Sequence, residues 1–181
     1  MNRLLQVNHL IVRYYAYLSI LVFLFAACQS GRKVSKPAAY PANVGDIAPD
    51  PSLDDPGFTV CRERFIPQYY SIKSGFEGEK PAIEAYFREK FVRNKKYKGE
   101  DGYITIRFVV NCKGKTGRFR VYEMGPDYLP KKFPAALSSH LLDLTKHLEG
   151  WQPGQGNALQ WDYYQYLTFT ITNGEITQIM P

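Results

Sequence analysis

Two alternating stretches joined by a short glycine-containing segment constrain the fold of this chain most strongly. In "GYITIRFVVN", residues 102–111, and in "RFRVYEM", residues 118–124, apolar and polar side chains alternate, and the six residues "CKGKTG" connect them. Successive side chains of a β-strand point to opposite faces, and glycines suit a tight connection. The pattern therefore predicts a β-hairpin with one apolar face that has to be covered. On the first strand this face consists of Ile104, Ile106, Phe108 and Val110.

Two amphipathic helices are predicted to supply that cover. The first, "PAIEAYFREKFV", opens with Pro81, which the first turn of a helix tolerates. Its apolar residues share one face: Ile83, Tyr86 and Phe87. The second follows Pro134 and has four leucines within about 60° of one another on a helical wheel: Leu137, Leu141, Leu144 and Leu148. Gly150 is placed to end this helix, and Trp151 is expected to fill the open end of the core.

A last alternating strand, "QYLTFTITN", follows the second helix. Its inward residues are Leu167, Phe169 and Ile171, and its outward residues are Tyr166, Thr168, Thr170 and Thr172. The segment between Trp151 and Trp161 contains two glycines and is predicted to be a loop. The order helix, strand, strand, helix, strand predicts an α+β fold, in which two helices pack on one face of a three-stranded, mainly antiparallel sheet.

The N-terminal segment has the plan of an export signal. Arg3 and Arg13 precede an apolar run that ends in "LFAAC", and this ending resembles the lipobox of bacterial lipoproteins. The resemblance implies a leader of residues 1–27 and a lipid on Cys28. The alternative is an uncleaved transmembrane anchor, because residues 9–27 approach the roughly 20 residues that span a bilayer.

The exported chain divides into three parts. Residues 28–57 are rich in proline and poor in large apolar residues, which predicts a lipid-anchored tether. Residues 58–77 form an N-terminal extension of the domain, in which "FTVCRERFIPQYYSI" favours one or two short strands. Residues 78–181 hold the helices and strands described above. Arg3 and Arg13 account for part of the formal charge of +6, and a mild, dispersed excess on an exported chain argues against nucleic-acid binding.

Cys61 and Cys112 remain once the predicted lipid site at Cys28 is set aside. An even number of cysteines in an oxidising compartment favours a disulfide between the two. The alternative is a pair of buried free thiols, since unpaired cysteine is among the most buried residue types.

No catalytic or cofactor-binding fingerprint stands in the sequence, which predicts a protein that is not an enzyme and takes no cofactor. The one group of metal-ligating residues is His140, Asp143 and His147 on the second predicted helix. The two histidines are seven residues apart, roughly 10.5 Å along the helix axis, which is too far to share one metal ion. We interpret them as a solvated helix face and predict no metal site.

From Gly78 onward the chain resembles the C-terminal domain of the TonB family, which acts on outer-membrane transport receptors of Gram-negative bacteria. The resemblance is carried by "GEKPAIEAYFREKFV", "GYITIRFVVNCKGKTGRF", "ALSSHLLDLTKHLEGWQPG" and "LTFTITNG", in that order. It implies a non-enzymatic periplasmic domain whose last strand lies at a sheet edge, where a receptor peptide adds as a further strand. The partner-binding residues would then be Tyr166, Thr168, Thr170 and Thr172.

The resemblance leaves alternatives at the level of the whole protein. The expected protein is a lipoprotein, anchored by its lipid in the outer membrane, that binds an envelope protein such as a TonB-dependent receptor. The alternative is an energy transducer with a retained N-terminal transmembrane helix, which acylation of Cys28 would exclude. The tail "TQIMP" or a second copy of the chain would be able to cover the last strand instead, and whether the protein forms a homodimer stays open.

Overall fold

The computed structural model of the chain describes residues 45–156 and 159–181. The predicted leader, Cys28 and the first part of the predicted tether lie outside these residues. In this part of the chain, seven strands and two α-helices follow one another in the order β1 (Lys73–Phe76), α1 (Glu79–Lys90), β2 (Gly102–Val110), β3 (Thr116–Met124), α2 (Ala135–Lys146), β4 (Trp151–Gly156), β5 (Leu159–Trp161), β6 (Tyr163–Thr172) and β7 (Glu175–Met180). None of the helices within the described residues is long and apolar enough to cross a bilayer.

The strands form two antiparallel sheets. The larger has the order β3-β2-β6-β7, and the smaller has the order β1-β4-β5. In the larger sheet Ile106 of β2 lies opposite Val121 of β3 on one side and Leu167 of β6 on the other. The predicted α+β class and the antiparallel hairpin are confirmed. The predicted single sheet of three strands is wrong, because β7 extends the main sheet and β1, β4 and β5 build a second one.

Both helices pack on the same face of the larger sheet, as the alternation predicts. Leu137 and Leu141 of α2 are fully buried, and Phe87 of α1 meets Phe169 of β6 with ring centroids 4.8 Å apart. The Tyr86 hydroxyl of α1 donates a hydrogen bond to the carbonyl of Leu144 in α2 at 3.1 Å. Full burial of each large apolar side chain contributes about 1.5–3 kcal/mol, so this face holds the helices in place.

The second sheet closes one end of that core. Trp151, at the start of β4, is 7% exposed and packs against Phe76 of β1 and Phe108 of β2, with ring centroids at 5.0 and 5.2 Å. The expected filling of the core by Trp151 is therefore confirmed. The predicted loop between Trp151 and Trp161 is wrong in its described part, because β4 and β5 pair there, with Gly154 opposite Trp161.

Residues ahead of β1 cover part of the opposite face of the larger sheet. Ile47, which belongs to the predicted tether, is 3% exposed and packs with Val109 and Tyr164. Arg120 of β3 forms an ion pair with Asp54 at 2.6 Å. The described end of the predicted tether thus lies against the sheet. The short strands expected in residues 58–72 are absent there, apart from an isolated bridge between Gln68 and Tyr164, and β1 starts at Lys73.

Candidate peptide-binding edge

The four predicted partner-binding residues lie together on β6, on the face opposite the helices. Thr168 shares a hydrogen bond with Thr105 of β2, with the two Oγ1 atoms 2.9 Å apart. The strand that carries them is interior, however: β2 pairs with it from Tyr163 to Ile171, and β7 pairs with it from Thr168 to Thr172. The chain's own tail therefore occupies the side of β6 from Thr168 to Thr172, which is the alternative that the sequence left open.

The tail itself, β7, forms one edge of the larger sheet, and β3 forms the other. Tyr164 of β6 donates its backbone N–H to Pro67, away from β2, so every second residue of β6 from Tyr164 onward directs its backbone groups toward the β7 side. Thr168 and Thr170 accordingly pair with Met180 and Gln178. Ile179 lies between those two partners, so its N–H and C=O point away from β6. Within the described residues no strand lies on that outer side.

A cleft of about 260 Å³ runs between this edge and helix α1. Its apolar lining comes from both elements: Phe87, Phe91, Ile176 and Ile179. Charged side chains stand around it: Glu84, Arg88, Arg93 and Glu175. Arg93 and Glu175 form an ion pair at 3.1 Å, with side chains that are 77% and 46% exposed, so the pair contributes little to stability. The edge strand thus has a side-chain pocket beside its free backbone groups.

A second cleft, of about 540 Å³, also uses Ile179 and lies between α1 and the smaller sheet. Lys73, Lys80 and Pro181 line it together with Gln165. Tyr166 is the next residue of β6 whose N–H points to this side but has no strand partner. This N–H donates to the side-chain oxygen of Gln165 at 2.8 Å. The β6 edge beyond the end of β7 is therefore capped by a side chain rather than by a strand.

Most of the aromatic residues near β6 serve packing. Tyr163 is fully buried and donates its hydroxyl to the carbonyl of Gln152 at 2.9 Å, and burial raises the pKa of this phenol. Tyr69 meets Tyr166 edge to face at 5.5 Å. The hydrogen bond to Tyr166 is the main cause that raises the pKa of Tyr69 to about 12, so the Tyr69 hydroxyl stays protonated at neutral pH.

The structure places Cys61 and Cys112 at disulfide distance, as the sequence predicts, with their Cα atoms 6.1 Å apart. Cys61 is exposed, which differs from the alternative of two buried thiols. The buried carboxylate of Asp162 lies beside the pair, and the three residues could offer ligand atoms within 4.8 Å of one another. The sulfurs bind each other, however, and the carboxylate accepts backbone N–H groups from Cys61, Arg62 and Cys112.

The three metal-ligating residues of α2 and its end are not brought into one site. His140 Nε2 accepts the backbone N–H of Val92 at 3.2 Å, and its ring packs near Phe91. His147 lies 3.5 Å from the Asp143 carboxylate, and both side chains are about two-thirds exposed. The contact of His147 with Asp143 is local, as expected for a helix face in contact with solvent, whereas His140 joins α2 to the end of α1.

Comparison of the chain with protein-family models, with curated proteins and with solved structures finds no significant match. The resemblance to the TonB C-terminal domain stays a prediction from the sequence. The functional assignment accordingly depends on the geometry of β7, α1 and the cleft between them.

Proposed function

We propose that this chain is a non-enzymatic envelope lipoprotein, anchored through Cys28, whose folded domain binds an extended peptide by strand addition to β7. The observation that carries the proposal is the free outer edge of β7 beside the cleft that α1 lines. The bound peptide belongs to a protein of the Gram-negative envelope, such as a TonB-dependent receptor. Relative to the sequence-based prediction, the binding strand moves from β6 to β7.

Backbone pairing supplies the affinity in this mode. An added strand forms main-chain hydrogen bonds with the outward groups of the edge strand, and its alternate side chains enter pockets. Here Ile179 offers an N–H and a C=O on the outer side of β7. The side chains of the peptide that point toward α1 would contact Phe91 and Ile176, which line the cleft.

The rim of the cleft adds selectivity. Arg88 stands on the helix side without an ion-pair partner among the described residues, and Arg93 is paired only with the exposed Glu175. Opening an exposed pair costs no more than about 1 kcal/mol. A peptide that carries an acidic residue next to an apolar one would therefore match the cleft better than a basic peptide would.

Selection of peptides from a random extended library against the full chain tests the site. Arg88→Trp fills the cleft, whereas Glu89→Trp places the same bulk on an exposed neighbour of α1 that does not line it. Peptides that bind the wild type should also bind Glu89→Trp and should lose at least about tenfold in affinity for Arg88→Trp, the equivalent of one well-packed contact. Equal affinity for both variants would exclude the cleft.

Backbone methylation separates strand addition from binding through side chains alone. N-methylation of alternate residues removes the N–H groups that face β7 in one register and spares them in the other. Methylation of the residues whose N–H groups face β7 should abolish binding. Methylation of the other alternate residues should leave binding intact. Equal binding in both registers would exclude strand addition.

The anchor is tested by mass spectrometry of the mature N-terminus. An acylated Cys28 is expected for the lipoprotein. An intact Met1 followed by the unprocessed leader would contradict it and would favour the energy-transducer alternative.

A further inference from the structure

Exposed apolar side chains gather at the end of the domain that holds the Cys61–Cys112 pair. Phe65 is 63% exposed and Leu159 is 48% exposed. Phe65 meets Trp161 edge to face, with ring centroids 5.9 Å apart. Large apolar side chains at one place on a surface mark an interaction site more often than scattered ones do.

Buried hydrogen bonds hold this surface in place. Asp162 accepts the backbone N–H of Arg62 at 2.7 Å and that of Cys112 at 2.9 Å. The neighbour of Asp162 is Trp161, and the guanidinium of Arg62 lies 4.4 Å from the centre of its ring. The segment around residue 62, the hairpin turn at residue 112 and strand β5 therefore meet at one fixed point.

One cation contacts a ring of this surface and two others lie next to its residues in the sequence: Arg62 lies over Trp161, Arg64 precedes Phe65, and Lys113 follows Cys112. Arg62, Arg64 and Lys113 have no carboxylate within 4.0 Å among the described residues, whereas Glu63 is held by Arg118 in two hydrogen bonds of 2.8 and 2.6 Å. Asp162, the other nearby carboxylate, is fully buried. We call this region the disulfide-end surface, and it consists of Arg62, Arg64, Phe65, Lys113, Leu159 and Trp161.

We propose that the disulfide-end surface docks on a bilayer that contains anionic phospholipid. Aromatic rings favour the level of the lipid headgroups, and exposed apolar side chains bury their area at the boundary with the acyl chains. Unpaired arginine and lysine near the surface interact with anionic headgroups. The surface combines these three features, and it is formed independently of the cleft beside β7.

Trp161 gives the experiment a reporter inside the proposed contact. The full chain is reconstituted in vesicles of phosphatidylcholine, alone or with phosphatidylglycerol, and indole fluorescence is quenched with brominated lipids. The share of the signal due to Trp161 is the part lost in Trp161→Phe, since Trp151 is buried in the core. Quenching of Trp161 is expected only in the vesicles with phosphatidylglycerol, and it should weaken as salt is added.

Charge variants identify the cations that matter. Each basic residue removed from such a surface lowers membrane binding by roughly fivefold, so Arg62→Gln with Arg64→Gln should lower the docking equilibrium constant by roughly 25-fold. The matched control is Lys95→Gln with Lys96→Gln, which removes two exposed cations ahead of β2 and should change quenching little.

Two results would overturn the proposal. In the first, Trp161 stays unquenched in anionic vesicles, which would favour an acidic protein surface as the partner instead. In the second, quenching is the same in both kinds of vesicle or survives the change of both arginines. Circular dichroism of the variants checks that a loss of quenching does not come from unfolding.

Discussion

The Asp162 carboxylate, between β5 and β6, accepts the backbone N–H of Cys112 at 2.9 Å. Cys112 lies in the turn between β2 and β3, 50 residues earlier in the chain. The same carboxylate accepts the N–H groups of Cys61 and Arg62. One buried side chain thus satisfies donors from two segments that are far apart in sequence. Its hydrogen bonds hold the segments of Cys61 and Cys112 together in addition to the disulfide.

Asp162→Asn should destabilise the domain by about 2–4 kcal/mol. An amide keeps one acceptor oxygen, but its NH₂ group would face the N–H groups that the carboxylate now accepts, and each buried donor left unpaired costs about 1–3 kcal/mol. Urea denaturation followed by circular dichroism measures the loss. Glu149→Gln, on an exposed residue, is the control and should change stability by less than about 0.5 kcal/mol.

Reduction of the cysteine pair should lower stability by about 4 kcal/mol. The pair closes a loop of 51 residues, for which the chain-entropy model gives this value. The measurement is the thermal midpoint with and without reductant, together with Cys61→Ala, Cys112→Ala in both conditions. The double variant should not respond to reductant. A response equal to that of the wild type would mean that the cysteine pair is not what the reductant acts on.

Acid should weaken the packing of residues 45–57 on the sheet. The hydrogen bond from Arg120 is the main cause that holds the pKa of Asp54 below its ordinary value of 3.8. Because the pKa is lower in the folded state, the carboxylate contributes fully above the unfolded value, and this contribution is lost as the pH falls through the folded value. Stability should therefore decline below about pH 4.

Asp54→Asn isolates this contribution. At pH 7 the variant should lose roughly 1–3 kcal/mol, because Arg120 is only 17% exposed and would lose its charged partner. Its stability should then fall less than that of the wild type between pH 5 and pH 3. An unchanged pH dependence would show that other carboxylates determine the acid response.

Gly117→Ala should disturb the packing of Phe58 on the face of the larger sheet that lies opposite the helices. A Cβ at this position would lie 2.2 Å from the ring of Phe58, so the ring has to move, and overpacking of this kind costs about 1–3 kcal/mol. Phe58→Ala removes the clash along with the ring. The two changes should therefore be non-additive, with the double variant no less stable than Phe58→Ala alone. Additive losses would mean that the two residues do not touch in solution.

Amide hydrogen exchange should distinguish the two sides of β7. Gln178 and Met180 pair with β6, so their amides should exchange slowly, whereas the outward amide of Ile179 should exchange faster in the free protein. Residue-resolved exchange by NMR measures the difference. A peptide added to β7 should slow Ile179 selectively. Slow exchange of all three amides in the free protein at low concentration would contradict a free edge.

Several elements could be predicted because their patterns are local. The alternation in β2 and β6 and the leucine stripe of α2 follow from the period of one strand or one helix, and burial of one face is enough to explain them. Strand β7 was not predicted from the sequence, because a bulge shifts its register between Thr170 and Ile171. Its inward residues Ile176 and Ile179 are therefore three positions apart, and strict alternation is lost.

Strand β4 was not predicted from the sequence for a different reason. It contains Pro153 and two glycines, which lower the propensity for a strand. In the structure Gly154 is a close-approach position, because a Cβ there would lie 2.1 Å from Cδ1 of Ile72. The neighbours on both sides, β1 and β5, supply the pairing that the local sequence does not favour.

The sequence by itself determined the α+β class, the face on which both helices pack and the core residues of β2, β6 and the two helices, because these depend on periodicities within single elements. Only the tertiary structure decided that β7 rather than β6 is an edge strand, that α1 lines a cleft beside it, and that Asp162 holds the two cysteine segments together. The reason is physical. Strand order, edge exposure and buried polar contacts join residues that are far apart in the chain, and a one-dimensional pattern carries no record of which distant partner occupies each side.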